Sequence, residues 1–184
     1  MSQQKGEAPG VSQRHSKTRG PVRGFSLVAD CACPLRLHNT QQEPAMPATE
    51  TYRSTVEPKD CDALGHMNVS RYFVACSDAV ANFQTLLGLT AKDLREGRKL
   101  SFAVVHIQAD FHAELEVGES IYMTTEIKAI GTKSMTFHHR LFQTDGDKLC
   151  FESTAKLALL SFETRKAVVI PDDVRRKARA YLAG

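Results

Sequence analysis

Seven apolar positions, Tyr72, Cys76, Ala79, Val80, Phe83, Leu86 and Leu87, recur at helical spacing and predict one long amphipathic helix with a single buried face. Gly88 stands where such a helix ends in a left-handed residue. Ahead of it, residues 51–56 (Thr-Tyr-Arg-Ser-Thr-Val) are rich in β-branched side chains and read as a strand. Behind it, Thr90 with Asp93 three residues on predicts a capping box and a short second helix that Gly97 ends. From Leu100 to Phe111 the period changes to two, with Phe102, Val104 and His106 alternating with Ala103, Val105 and Ile107. Ile121, Met123, Thr125 and Ile127 then alternate with Tyr122, Thr124, Glu126 and Lys128, a strand with one buried face. Residues 135–143 and 149–162 read as two more strands, joined by Thr144-Asp145-Gly146-Asp147, the strongest hairpin signal in the chain. Turns are expected at Val117-Gly118-Glu119-Ser120 and at Gly131-Thr132-Lys133-Ser134. Pro171 opens a last helix with Val174, Ala178, Tyr181 and Leu182 inward, acids at its start and bases beyond.

The order is strand, long helix, then four strands linked by short turns, which implies antiparallel neighbours. One long helix against an antiparallel five-stranded sheet is a two-layer α+β domain, and such a sheet can wrap around the helix. With 184 residues and 42% hydrophobic content, the chain has enough for one core and little for two. Residues 49–184 are expected to form that domain. Residues 1–48, dominated by Gly, Pro, Ser, Gln and Arg, are expected to be a disordered tail. A transit peptide fits poorly with its glycines and prolines, and translation starting at Met46 is a further explanation of the tail.

A net charge of +3 permits an anionic small ligand but lacks the dense basic stripe of nucleic-acid binders. No apolar run approaches the length of a membrane-spanning helix. Five cysteines, an odd number without framework spacing, point to free thiols in a reducing compartment, hence the cytoplasm. Cys31-Ala32-Cys33 resembles a metal or redox pair but has no partner cysteines or histidines at matching spacing.

Chemistry concentrates at the start of the long helix, in Asp60-Cys61-Asp62-Ala63-Leu64-Gly65-His66-Met67-Asn68. Here a carboxylate and an imidazole sit beside backbone N–H groups that the helix cannot satisfy itself. Plainer readings stand alongside: Asp62 as a turn acid or helix cap, His66 as a turn residue, and Cys61 as a small apolar filler. Asp60, Asp62 and His66 lack the second cluster that a metal site would need, so no metal is expected.

This run, followed by Tyr72, resembles the active-site segment of hotdog-fold acyl-CoA thioesterases of the 4-hydroxybenzoyl-CoA thioesterase family. The likeness continues through Val117-Gly118-Glu119, Gly131-Thr132-Lys133-Ser134 and Pro171, and spans residues 51–182. It implies a hotdog fold and hydrolysis of an acyl-CoA to a free acid and coenzyme A without a cofactor. It also implies homodimers or tetramers with active sites between subunits. Asp62 matches the catalytic carboxylate, and Val69 falls where the family's carbonyl-polarising N–H lies. Asn68 is its neighbour, and Asn68, Tyr72, Lys133 and Ser134 match substrate-binding positions. His66 matches a Gly-His-x-Asn variant, whereas the founding enzyme has an apolar residue there. Of the bases that meet the nucleotide phosphates in the founding type, Lys133 alone is retained.

The residue types suit the reaction. A thioester carbonyl lacks the resonance of an ester, and its thiol leaves readily, with a pKa of about 8.5 for a Cys-like group. One carboxylate, as general base or as nucleophile, is then chemically sufficient, and both routes stay open. A helix N-terminus can steady the developing oxyanion. Phe73, Phe102 and Met135 are candidates for the acyl pocket. Two other functions fit the same fold: a non-catalytic domain that binds acyl-CoA, against which the retained Asp62 and His66 speak, and a hydratase, whose longer Asp-to-His spacing is missing here.

Overall fold

The computed structural model describes residues 48–183. Expectations for residues 1–47, including the tail, the Met46 start and the Cys31–Cys33 pair, lie outside the described residues. Eight elements follow in order: β1 (Thr49–Thr55), α1 (Val69–Leu86), α2 (Ala91–Glu96), β2 (Leu100–Phe111), β3 (Ser120–Ile130), β4 (Ser134–Gln143), β5 (Lys148–Ser161) and α3 (Asp172–Arg179). The strands form one antiparallel sheet in the order β1-β3-β4-β5-β2, so β1 and β2 are its edges.

The α1 helix starts where Asn68 Oδ1 accepts the Ser70 N–H at 3.0 Å and ends before Gly88, whose φ is +87°. Its inward face is the expected one, with Tyr72, Ala75, Cys76, Ala79, Val80 and Phe83 buried against the sheet. Leu86 departs from that expectation and is 43% exposed, because Leu87 takes the inward position at the helix end. At α2, Thr90 Oγ1 accepts the Asp93 N–H at 3.1 Å, but the box is half made. The Asp93 carboxylate turns instead to Arg98, 3.0 Å from its Nε.

In β2 the simple alternation fails. A bulge between Val104 and His106 shifts the phase, leaving Val104 and Val105 both outward, 50% and 60% exposed. Ile107, not His106, then packs on the core. The last helix buries Val174 and Ala178 as expected, while Tyr181 and Leu182 are half-buried beyond its end. There Ile127 N–H donates to Tyr181 O at 2.8 Å and Leu182 bridges to β3.

Two apolar clusters fill the space between helix and sheet, one around Phe83, Phe102, Phe137 and Val174, the other around Tyr72, Leu115, Met123 and Phe151. Between them runs a buried polar row, Thr125, His139 and Ser153 on β3, β4 and β5, with Thr51 of β1 beside it. Thr51 Oγ1 lies 2.7 Å from Thr125 Oγ1, which lies 2.8 Å from His139 Nδ1. Burial pushes the His139 imidazole down to about 4, so it is neutral in the folded chain. One long helix wrapped by a five-stranded antiparallel sheet is an α+β hotdog fold. The second apolar cluster lies under the start of α1, where the candidate site is.

Candidate active site

The segment between β1 and α1 is built as a tight loop hung on two anchors. Asp60 is the first. Its Oδ2 accepts the Glu57 N–H at 3.0 Å, its backbone O accepts the Asn68 N–H at 2.8 Å, and Arg71 Nη2 lies 2.6 Å from Oδ1. These contacts bind the loop to the first turn of the helix. The second anchor is a short pairing with the segment after β2. Met67 N–H donates to Leu115 O at 2.7 Å and His66 bridges to Glu116, which buries Met67 and Leu115 together.

Between the anchors, Cys61 pairs with Met67 around the five residues 62–66. Gly65 N–H donates to Asp62 O at 3.0 Å and Asp62 N–H to His66 O at 3.1 Å. Gly65 sits at φ +90°, a conformation that a β-carbon disfavours. The Asp62 side chain accepts the Leu64 N–H through Oδ1 at 2.8 Å, an Asx turn that orients the carboxylate and leaves Oδ2 unengaged by any described residue.

The loop opens onto a cavity of about 460 Å³. One wall is Asp62, His66, Met67, Val69 and Tyr72, and the other is Phe111, His112, Ala113 and Glu114. The Val69 N–H at the head of α1 has no acceptor among the described residues, whereas Ser70 N–H is taken by Asn68 Oδ1 and Arg71 N–H by Asn68 O. A free amide at the positive end of a helix dipole therefore borders the same space as a carboxylate. His66 Nε2 stands 3.8 Å from Glu114 Oε1. Tyr72 is buried with its ring edge-on to Phe111 at 5.2 Å, and burial pushes its phenol up to about 12, so it stays protonated. The half-buried Cys61 thiol is held above its ordinary value, by desolvation first and then by the carboxylates of Asp60, Asp62 and Glu116. That makes it a poor nucleophile, in keeping with the plain reading of Cys61 as a filler.

Of the residues singled out in the sequence, Asp62, His66, Val69 and Tyr72 are brought together. Asn68 lies beside them as the helix cap, with its oxygen committed to Ser70. Lys133 and Ser134 are elsewhere. Ser134 pairs with Ala158, which pairs with Ala103, eight residues along β2 from the cavity residue Phe111. At roughly 3.3 Å per residue the separation is roughly 26 Å. Phe102 and Met135 belong to the distant apolar cluster, and Phe73 is half-buried against Phe151. The wall from Phe111 to Glu114 was not anticipated. Its residues lie about fifty positions beyond the loop and reach it by backbone pairing, which leaves no mark in side-chain periodicity.

Residues 56–178 match the family model described as the thioesterase-like superfamily. Among solved structures, the chain is similar to a 1,4-dihydroxy-2-naphthoyl-CoA thioesterase from Synechocystis, 16% identical, covering 70% of this chain and 93% of that one, with a TM-score of 0.61. A Staphylococcus aureus protein solved in complex with CoA is 20% identical over 76% of this chain and 90% of its own, with a TM-score of 0.67. A gentisyl-coenzyme A thioesterase is 23% identical over 67% and 98%, with a TM-score of 0.61. At such identities these likenesses speak to the fold. No match is found among the curated proteins.

Proposed function

The chain belongs to the thioesterase-like superfamily, and from that premise we propose that it hydrolyses an acyl-CoA thioester to a carboxylic acid and coenzyme A. One observation carries the reading: the Asp62 carboxylate and the Val69 N–H, which has no acceptor among the described residues, border one cavity. A water or the carboxylate itself attacks a carbonyl whose oxygen points at the amide. Such a donor is worth about 3 to 4 kcal/mol of barrier. His66, on the same wall, orients the acyl group or adds a second donor to its oxygen.

Coenzyme A as the carrier draws support from the CoA-bound and CoA-thioesterase relatives of the same fold. The narrower kinship with 4-hydroxybenzoyl-CoA thioesterases rests on the Asp62-to-Asn68 run and Tyr72. Residues 49–184 are the catalytic domain in this reading, acting in the cytoplasm without a cofactor.

The working unit in this reading is a homodimer, itself able to pair into a tetramer. Among the described residues β2 is an edge strand with Val104 and Val105 turned outward, and an edge of this kind invites pairing with a second copy. Antiparallel pairing of β2 with its counterpart would set the partner's Ala103 end beside Phe111. The partner's Lys133–Ser134 turn would then lie roughly 10 to 15 Å from the cavity, within reach of an extended CoA chain. The two residues absent from the cavity of one copy are supplied by the other.

The test is thiol release from a panel of acetyl-, octanoyl- and benzoyl-CoA by the full chain and by Asp62→Asn. Turnover by the wild type that the variant lacks supports the reading. Absence of turnover on every thioester, or equal turnover by both proteins, overturns it.

A further inference from the structure

We infer that His112, oriented by Glu152, is a second proton-handling residue of the cavity and delivers a proton to the departing sulfur; the inference rests on the thioesterase reading above. His112 lies on the wall formed by the segment after β2, apart from the Asp62 loop, and its backbone N–H is pinned to Cys150 O at 2.8 Å. Its ring is held as well. Nε2 lies 3.2 Å from Glu152 Oε1, and the other oxygen of Glu152 lies 3.3 Å from His138 Nε2. His138 Nδ1 in turn lies 3.0 Å from Glu126 Oε1, which Lys128 Nζ approaches to 2.7 Å.

Four side chains from three strands and the cavity wall thus form an alternating line of carboxylate and imidazole. It ends at a cavity residue. An imidazole at a site, oriented through one ring nitrogen by a carboxylate, is the arrangement that proton transfer uses elsewhere. With Nε2 facing a carboxylate, that nitrogen carries hydrogen, and Nδ1 is left to gain and lose the proton. The charges around the ring are Glu152 and Arg140 from the sheet, with Asp110 opposite Glu152 in register. Beyond them lie His138, Glu126 and Lys128, and on the cavity side Asp62, His66 and Glu114.

Thioester cleavage has a place for such a group. However the carbonyl carbon is attacked, the C–S bond breaks with its electron pair going to sulfur, and the thiolate needs a proton to leave as thiol. The His112 imidazolium gives its Nδ1 proton to that sulfur. In the general-base route Asp62 has meanwhile taken a proton from the attacking water. Asp62 returns that proton to solvent and His112 takes one back, so the net change is addition of water across the C–S bond. Asp62 and His112 divide the two ends of the reaction between the two walls.

The experiment compares the full-length wild type with His112→Asn, Glu152→Gln, the double variant and Asp62→Asn on acetyl-, octanoyl- and benzoyl-CoA across pH. Circular dichroism melts check folding, and His112→Gln replaces His112→Asn if the latter does not fold. The expected result is a kcat lowered about tenfold or more in His112→Asn, with KM little changed. In Glu152→Gln kcat should fall as well, with KM little changed, because the ring has lost the carboxylate that orients it. The double variant should match His112→Asn alone, since Glu152 acts through His112. Wild-type kcat in the His112 and Glu152 variants, with Asp62→Asn inactive, overturns the inference and leaves the thioesterase reading standing. If Asp62→Asn is fully active, or no thioester turns over, that reading falls and the inference with it.

Discussion

Asp62 Oδ1 and the Leu64 N–H, 2.8 Å apart, close a turn at the cavity wall and leave the second oxygen of the same carboxylate without a partner among the described residues. In the proposed reaction one side chain therefore serves the loop and the chemistry through different atoms. Asparagine keeps the accepting Oδ1 and loses only the charge. Asp62→Asn is expected to melt within about 1 °C of wild type while thioester cleavage falls by about a thousandfold or more. Asp62→Ala removes the turn as well and should cost about 1 kcal/mol of stability besides. Thermal melts beside thiol-release assays separate the two contributions. An active Asp62→Asn would remove the carboxylate from the mechanism.

Arg71 and Asp60 make the second testable contact. The guanidinium, on the first turn of α1, reaches 2.6 Å from a carboxylate oxygen that is otherwise buried without a hydrogen-bond partner among the described residues. Its approach is close but out of line with a hydrogen bond, so the contact is mainly one of charge. Arg71→Ala leaves that oxygen uncompensated and should lower the urea unfolding free energy by about 1 to 2 kcal/mol. The same loop anchors Asn68 through Asp60 O, so KM should rise more than kcat falls. An unchanged urea midpoint would mean that water serves Asp60 as well as Arg71 does.

What could be read from the sequence follows from one-sided burial. α1, β3 and the β4–β5 hairpin each hide one face, and their apolar spacing announced them. β2 announced itself as a strand, yet its phase did not survive. Val104, Val105 and Ile107 are equally apolar, so neither phase stands out in the sequence, and the bulge at Val104/His106 chooses. The loop half of the site was legible because Asp62, His66, Val69 and Tyr72 lie within eleven residues. The facing wall was not, because Met67 and Leu115 meet through backbone bonds that any residues could make. Lys133 and Ser134 match substrate positions by local likeness alone, and in one chain they lie at the other end of the sheet from Phe111.

His139 should govern acid sensitivity. Its folded value of about 4 lies below its ordinary 6.5, so between those limits the unfolded chain binds the extra proton. This contribution is whole above the upper limit and is lost as pH falls toward the lower one. Stability should drop by about 2 kcal/mol between about pH 7 and about pH 5 from this residue alone. His139→Asn retains a side chain able to meet Thr125 and carries no titrating ring. Urea midpoints over that range should fall with acid in the wild type and flatten in the variant. Parallel slopes in the two proteins would assign the sensitivity to other groups.

Val105 tests the assembly. It is 60% exposed on the edge strand β2, beside Val104, at the bulge where the strand turns two successive apolar side chains outward. Val105→Glu puts a carboxylate on that edge, and pairing with a second copy would take the charge out of water without a partner. A single copy keeps the substitution in water, so its fold should tolerate it. Sedimentation is expected to show a dimer or tetramer for the wild type and a monomer for the variant, with melting little changed at low concentration. Thioester turnover should fall with the assembly, mainly through KM, since the partner's Lys133 and Ser134 no longer reach the cavity. A wild type that sediments as a fully active monomer would return those two residues to their own end of the sheet and leave the substrate to a single subunit.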